Sequence, residues 1–238
     1  CYTMNTTPLK EQWMKALQKK LEHREKTELI AILQQMLRQE PDLQWLLTTP
    51  LPTASSPKVS LDPEVYRQQV RMAMVVGDQL RKYKRHEVER RLLAIKTFAD
   101  EFAEQRQYAA ALTIYEVLIT EVIAHFNTYP DESIAFSAIL QSSIEGLDTC
   151  FAGEEDNPQI RLRALKALFT IYRFFTDHSM DLDEDIPSLL VENTTTQERE
   201  AITGWIRDAL SVSKETTWGA ASIRQHYTIL LAKLGKGN

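Results

Sequence analysis

Residues Glu87 to Asn127 read EVERRLLAIKTFADEFAEQRQYAAALTIYEVLITEVIAHFN, and their periodicity decides the fold. Leu92, Ile95, Phe98, Ala99 and Phe102 recur three and four apart. After the polar break Glu104 to Gln107, so do Tyr108, Ala111, Leu112, Tyr115, Leu118, Ile119 and Val122. Two amphipathic helices joined this tightly must lie antiparallel and bury their stripes against each other. Each keeps apolar surface for further neighbours. The fold class expected is therefore all-α, with helical hairpins stacked on one another as a solenoid-like array.

Outward from this hairpin the same logic orders the chain. Thr7 and Pro8 form a helix start, N-cap then first-turn proline, and Leu9, Trp13, Ala16, Leu17 and Leu21 make one stripe after them. A second helix carries Leu29, Ile30, Ile32, Leu33, Met36 and Leu37 and stops at Glu40-Pro41. Residues 1–47 are read as a small helical unit. Residues 48–63 hold four prolines, three serines and three threonines and read as an extended linker. The main array is expected over 64–238. It contains the hairpin 87–127, a second hairpin over 131–176, and C-terminal helices over 197–213 and 218–234. Thr195 with Glu198 forms a capping-box pair opening the first of these last two helices.

Composition agrees with helix throughout: seven glycines and nine prolines are few for 238 residues, and Ala, Leu, Gln, Glu, Lys and Arg dominate. A net charge of -5 and a pI near 5.6 argue against a dedicated nucleic-acid binder, which carries a basic excess. No apolar run approaches 18 residues, so no membrane partner is expected. Two cysteines, Cys1 and Cys150, make no disulfide framework. Cys150 falls on an apolar stripe with Leu147 and Phe151, as a buried thiol in a reducing, cytoplasmic compartment would. The chain starts at Cys1 with no leader pattern, as expected of a fragment of a longer protein.

The hairpin spacings resemble one tetratricopeptide unit. Ile95, Phe98, Ala99 and Phe102 stand at its first-helix positions, and Tyr108, Ala111, Tyr115 and Leu118 at those of its second helix. Ala99 replaces the family's Gly, Leu118 its second Ala, and Ile123 its closing Pro. A wider resemblance rests on KTELIAILQQMLRQEPDLQWLL (Lys26 to Leu47), the hairpin at 88–151, IPSLLVENTTTQEREAITGWIRDAL (Ile186 to Leu210) and YTILLAKL (Tyr227 to Leu234). In this order they are similar to the helical region that follows the zinc finger in uncharacterised bacterial SWIM zinc-finger proteins. The resemblance implies a multi-helix interaction region with a protein partner. The zinc site, and any nucleic-acid role it carries, would lie in a finger upstream of Cys1.

Candidate chemistry is sparse. Asp181, Asp183 and Asp185 with Glu192 follow the ligand order of a calcium loop, yet Ile186 stands where its sharp turn needs Gly. His86 and Glu87 begin a zincin pattern that Arg90 breaks. Glu121 and His125, four apart on one helix face, are read as a side-chain contact rather than metal ligands. No glycine-rich phosphate loop and no nucleophile elbow occur. Neither catalysis nor a cofactor is expected. A basic stretch of Arg81, Lys82, Tyr83, Lys84 and Arg85, continuing to Arg90 and Arg91, is the candidate for phosphate or an acidic partner. It is countered by residues 177–208, with nine acids against two bases. Tyr115 and Tyr172 are the aromatic candidates for a concave protein-binding face. An exposed Trp13 or Trp218 is read as a partner anchor. The expected function is a non-catalytic helical-repeat scaffold. The alternatives are a structural or oligomerisation spacer, or nucleic-acid binding through 81–91.

Overall fold

A computed structural model describes residues 7–39, 47, 49–51, 60–74, 85–128, 133–154, 156–180, 186–212 and 220–235. Among them every regular element is a helix. The chain divides into two compact units, Cys1–Thr49 and Pro50–Asn238.

The first unit holds α1 (Thr7–Glu22) and α2 (Lys26–Gln39). The tight reversal between them is closed by the Arg24 amide donating to the Leu21 carbonyl at 3.0 Å, and the Arg24 guanidinium pairs with Glu28 one turn on. Neither helix has a buried side chain among those described.

The second unit begins with α3 (Pro63–Met74), entered through an Asx turn in which Asp62 Oδ1 accepts from the Glu64 amide at 2.9 Å. Leu61 is buried, so the end of the stretch read as linker is packed, while residues 52–59 lie outside the described set. Next come α4 (Arg85–Glu104), α5 (Tyr108–His125), α6 (Ser133–Gly153) and α7 (Pro158–Asp177). These helices run over 85–125, where the sequence placed its first hairpin at 87–127, and over 133–177, where it placed its second at 131–176. After them stand the one-turn α8 (Ile186–Leu189), α9 (Thr196–Val212) and α10 (Ala220–Gly235).

The ends of these helices follow local chemistry. Asn157 caps α7 by accepting from the Ile160 amide at 3.3 Å, with Pro158 in the first turn. Thr195 and Glu198 form the expected reciprocal box on α9: the Thr195 amide donates to Glu198 at 2.8 Å and the Glu198 amide to Thr195 Oγ1 at 3.3 Å. The α4 and α7 ends close differently. Arg106 (φ 56°) and Ser179 (φ 51°) take the left-handed conformation, and the next residue's amide reaches back to Phe102 and Phe175 respectively, both at 2.9 Å. These are Schellman turns built without glycine.

In this unit α4 lies against α5 and α6 against α7. Between the two pairs, α6 packs on α4 and α5, and α7 packs on α5. Ahead of them α3 packs on α5 and α4. Behind them α8, α9 and α10 pack on α7, and α10 also on α9. Four helices therefore surround α5, which is why it is apolar on nearly every side. Its length and composition would suit a membrane span, but 61% of that window is inside the fold. All eight tetratricopeptide-like positions, from Ile95 to Leu118, are buried.

Candidate functional site

The α4–α5–α6 junction encloses an open cavity of about 250 Å³. From α4 it is lined by Lys96, Asp100 and Glu104, from α5 by Tyr115, and from α6 by Glu145, Gly146 and Thr149. Lys96 and Asp100 stand one turn apart, so their side chains meet on the same face: the ammonium donates to the two carboxylate oxygens at 2.8 and 3.1 Å. Asp100 also accepts from the Tyr115 hydroxyl, which rises from the core to the cavity floor. Burial first, and Asp100 second, push the Tyr115 phenol far above the usual tyrosine range. It is a permanent donor at any ordinary pH.

The tyrosine can reach Asp100 because residue 146 has no side chain. A Cβ there would overlap the phenol oxygen, and a Cβ at Gly153 would overlap the ring of Tyr108. Tyr108 and Tyr115 are seven apart on α5, and Gly153 and Gly146 are seven apart on α6. The antiparallel register seats each ring on one glycine. Glycine here serves close helix approach and has no turn to make.

Electrostatically the lining is acidic. Lys96 is the sole cation among the cavity's lining residues, set against Asp100, Glu104 and Glu145. Close by on α4, the Glu101 carboxyl is held above its ordinary value by burial and by its neighbours Glu104 and Asp100. On α6, burial raises the carboxyl of Asp148. Cys150 is buried and its thiol is pushed up to about 12, by burial first and then by Asp100. A thiol in that state is a poor nucleophile. The cavity offers ion-pair and hydrogen-bond partners, and Lys96, Asp100 and Tyr115 within it are bonded to one another.

The other candidates fall elsewhere. Tyr115 and Tyr172 are core residues: the Tyr172 ring packs edge-on to Tyr227 at 6.0 Å. Neither offers its ring to a partner, in contrast to the expectation of a concave aromatic face, because each sits on the stripe that the next helix covers. Arg81, Lys82, Tyr83 and Lys84 lie outside the described residues, and Arg85 opens α4. Further along the basic stretch, Arg90 and Arg91 both turn back on Glu87 at 2.7 Å, and their bonds hold its carboxyl down at about 2. Those two cations face a carboxylate on their own helix. Asp181, Asp183, Asp185 and Trp218 are outside the described residues, whereas Trp13 is exposed.

Glu121 and His125 do approach, at 3.8 Å, but the imidazole bonds the Glu121 carbonyl at 2.9 Å. The Glu121 carboxylate is buried and spans to α3, accepting from Arg71 at 2.7 and 3.2 Å and pairing with Arg67 at 3.2 Å. Among the described residues no cluster of three or more His, Cys, Asp or Glu is placed to hold a metal ion.

Sequence reading missed the buried bridge between α7 and α9. The Arg161 guanidinium bonds Glu198 at 2.8 and 3.1 Å, the Asn193 carbonyl at 2.8 Å and the Phe151 carbonyl at 3.3 Å, and lies 4.0 Å over the Phe151 ring. No local signal marks a pair 37 residues apart. No protein-family model, curated protein or solved structure matches the chain.

Proposed function

We propose that residues 60–235 form a non-catalytic, tetratricopeptide-like interaction scaffold that holds a segment of a protein partner along the α4–α6 face. The observation that carries this reading is the packing order: α4 packs on α6 and α5 on α7, as the first and second helices of successive stacked hairpins would. Repeat arrays of that kind leave the row of first helices open as a binding surface. The cavity with Asp100 at its floor lies on this row. Glu104 and Glu145 are exposed at its rim, available to amide and cationic groups of an incoming segment.

The resemblance to the helical region of bacterial SWIM zinc-finger proteins supports the same reading, with any zinc-dependent contact to nucleic acid made by a finger outside this chain. An oligomerisation role is the second reading, favoured by the exposed apolar side chains of α1 and α2.

The test is affinity capture from the source lysate after nuclease treatment, at low and high salt. Wild type is compared with Glu104→Lys/Glu145→Lys and with a charge reversal of Arg81, Lys82, Lys84 and Arg85. A defined protein retained by wild type and by the basic-stretch variant, and lost from the groove variant, is the expected result. Capture that disappears with nuclease or with the basic-stretch variant, and is untouched by the groove variant, would move the function to residues 81–91.

A further inference from the structure

Pockets that enclose drug-sized ligands run to about 300–1,000 Å³. The α4–α5–α6 cavity holds about 250 Å³, which suits a single long side chain better than a nucleotide or coenzyme. Its floor is already set: Lys96, only 15% exposed, is held on Asp100 at 2.8 Å, and the Tyr115 hydroxyl donates to the same carboxylate. Glu104 stands two turns beyond Lys96 on α4, about 12 Å along the axis, so the ammonium held on Asp100 leaves Glu104 uncovered. On the α6 wall the Thr149 hydroxyl donates to the Glu145 carbonyl at 2.9 Å and not to its carboxylate. Among the described residues neither rim carboxylate, Glu104 or Glu145, has an ion pair or a side-chain hydrogen bond. The excess negative charge is felt by a neighbour, since Glu104 and Asp100 add to burial in holding the Glu101 carboxyl above its ordinary value.

We infer that this cavity receives one arginine side chain of the segment bound along the α4–α6 face, with its guanidinium set between Glu104 of α4 and Glu145 of α6 above the Asp100 floor. The inference rests on the scaffold reading for the polypeptide that delivers the arginine, and adds which side chain anchors it. Charge selects a cation. Three carboxylates of the lining face one ammonium, so an acidic side chain is repelled and a neutral one leaves the rim as it was, while a cation pairs with carboxylates that the fold itself leaves unpaired. Geometry selects arginine over lysine. The open acceptors stand on two different helices, and a guanidinium presents five N–H donors in a planar fork, where an ammonium offers three from one point. It is also the more weakly hydrated cation, which lowers the cost of entering a partly enclosed site. With Lys96 held on Asp100, two carboxylates remain open, enough for one bridging guanidinium.

The experiment is an amide NMR titration of the full isotope-labelled chain at about 0.15 M salt, where the field of distant charges is screened beyond about 8 Å. The probes are the N-acetyl methylamides of arginine, lysine, citrulline and glutamate. The arginine derivative should shift the amides of Gly146 and Thr149 with a dissociation constant on the order of 1–10 mM, as partly exposed ion pairs imply. The lysine derivative should bind at least about threefold more weakly. Citrulline, of the same length and uncharged, and glutamate should leave those amides in place. Glu104→Gln/Glu145→Gln keeps size and hydrogen-bonding capacity, and should weaken arginine binding at least about fivefold. Glu192→Gln/Glu200→Gln removes the same charge from exposed positions elsewhere and should change nothing. Citrulline that matches arginine, arginine binding that the rim variant leaves intact, or no shift with any probe overturns the inference; lysine that binds as tightly overturns the choice of arginine. The scaffold reading is tested separately by the lysate capture. A partner lost from Glu104→Lys/Glu145→Lys, with no arginine response here, would keep that reading and refute this one.

Discussion

The phenol of Tyr115 on α5 occupies the space that a side chain at Gly146 on α6 would need, and from there donates to Asp100 on α4. Three helices are thereby fixed through one oxygen atom. Gly146→Ala must displace the ring or spread α6 from α5. Alanine would gain about 1 kcal/mol of helix propensity, but forced overlap in a packed interior costs about 1–3 kcal/mol and the bond to Asp100 is lost as well. Overlap wins, and a net loss of about 1–2 kcal/mol is expected, or roughly 2–8 °C in the melting temperature. Gly204 is the internal control. It lies inside α9 with open space where a Cβ would go, so Gly204→Ala should stabilise by about 0.5–1 kcal/mol. Thermal melts of the two variants with opposite signs would confirm the assignment; equal signs would refute it.

Arg161 and Glu198 hold α9 to α7 through a buried pair whose remaining donors are taken by backbone carbonyls. Arg161→Met strands a buried carboxylate and two carbonyls, and should cost about 3–5 kcal/mol. Arg161→Met/Glu198→Met should cost less than the sum of the single variants, a coupling that a denaturant double-mutant cycle measures. The sign with pH follows from the partner. Burial alone would raise the Glu198 carboxyl, but its bonds to Arg161 and Thr195 hold it below the ordinary value. Its contribution is thus present above the unfolded value near ~4.3 and is lost as pH falls below it. The gap in stability between wild type and Arg161→Met should therefore narrow on acidification from neutral pH. A gap that widens would show that Glu198 is not the group responsible.

What could be read from the sequence, and what could not, divides by range. Stripes such as Leu92, Ile95, Ala99 and Phe102 state which face of a helix is apolar, and the Thr195–Glu198 box states where a helix starts, because both are written within one or two turns. Which helix covers a stripe is not written there. Arg71 meets Glu121 across 50 residues and Arg161 meets Glu198 across 37, and nothing near either arginine names its partner. Tyr115 illustrates the limit within one side chain. Its stripe position implies burial, yet the hydroxyl reaches the cavity floor only because a glycine 31 residues later sits beneath it. The turns at Arg106 and Ser179 are invisible for another reason: their left-handed conformation is carried by residues that seldom adopt it, where glycine would have announced it.

Three tyrosines should contribute to the alkaline limb of stability. Burial raises the phenols of Tyr115, Tyr172 and Tyr227, and Asp100 and Asp177 raise the first and last further; Tyr227 donates to Asp177 at 2.9 Å. A group whose folded value is raised stabilises the fold in full below its unfolded value, near ~10 for tyrosine, and that stability declines as pH rises from there. Absorbance titration at the phenolate band should find that these three tyrosines fail to ionise until the chain unfolds. Tyr115→Phe should reduce that count to two and cost about 1 kcal/mol at neutral pH, the net value of one hydrogen bond. The thiol of Cys150 gives an independent clock for the same opening. In a Cys1→Ser background, Cys150 should react with a disulfide reagent only as fast as the second unit opens, because the buried thiol titrates at about 12. Rapid labelling at neutral pH, without loss of helicity, would mean that the α4–α5–α6 junction opens locally, and the slow tyrosine ionisation would then have to be assigned to Tyr172 and Tyr227 alone.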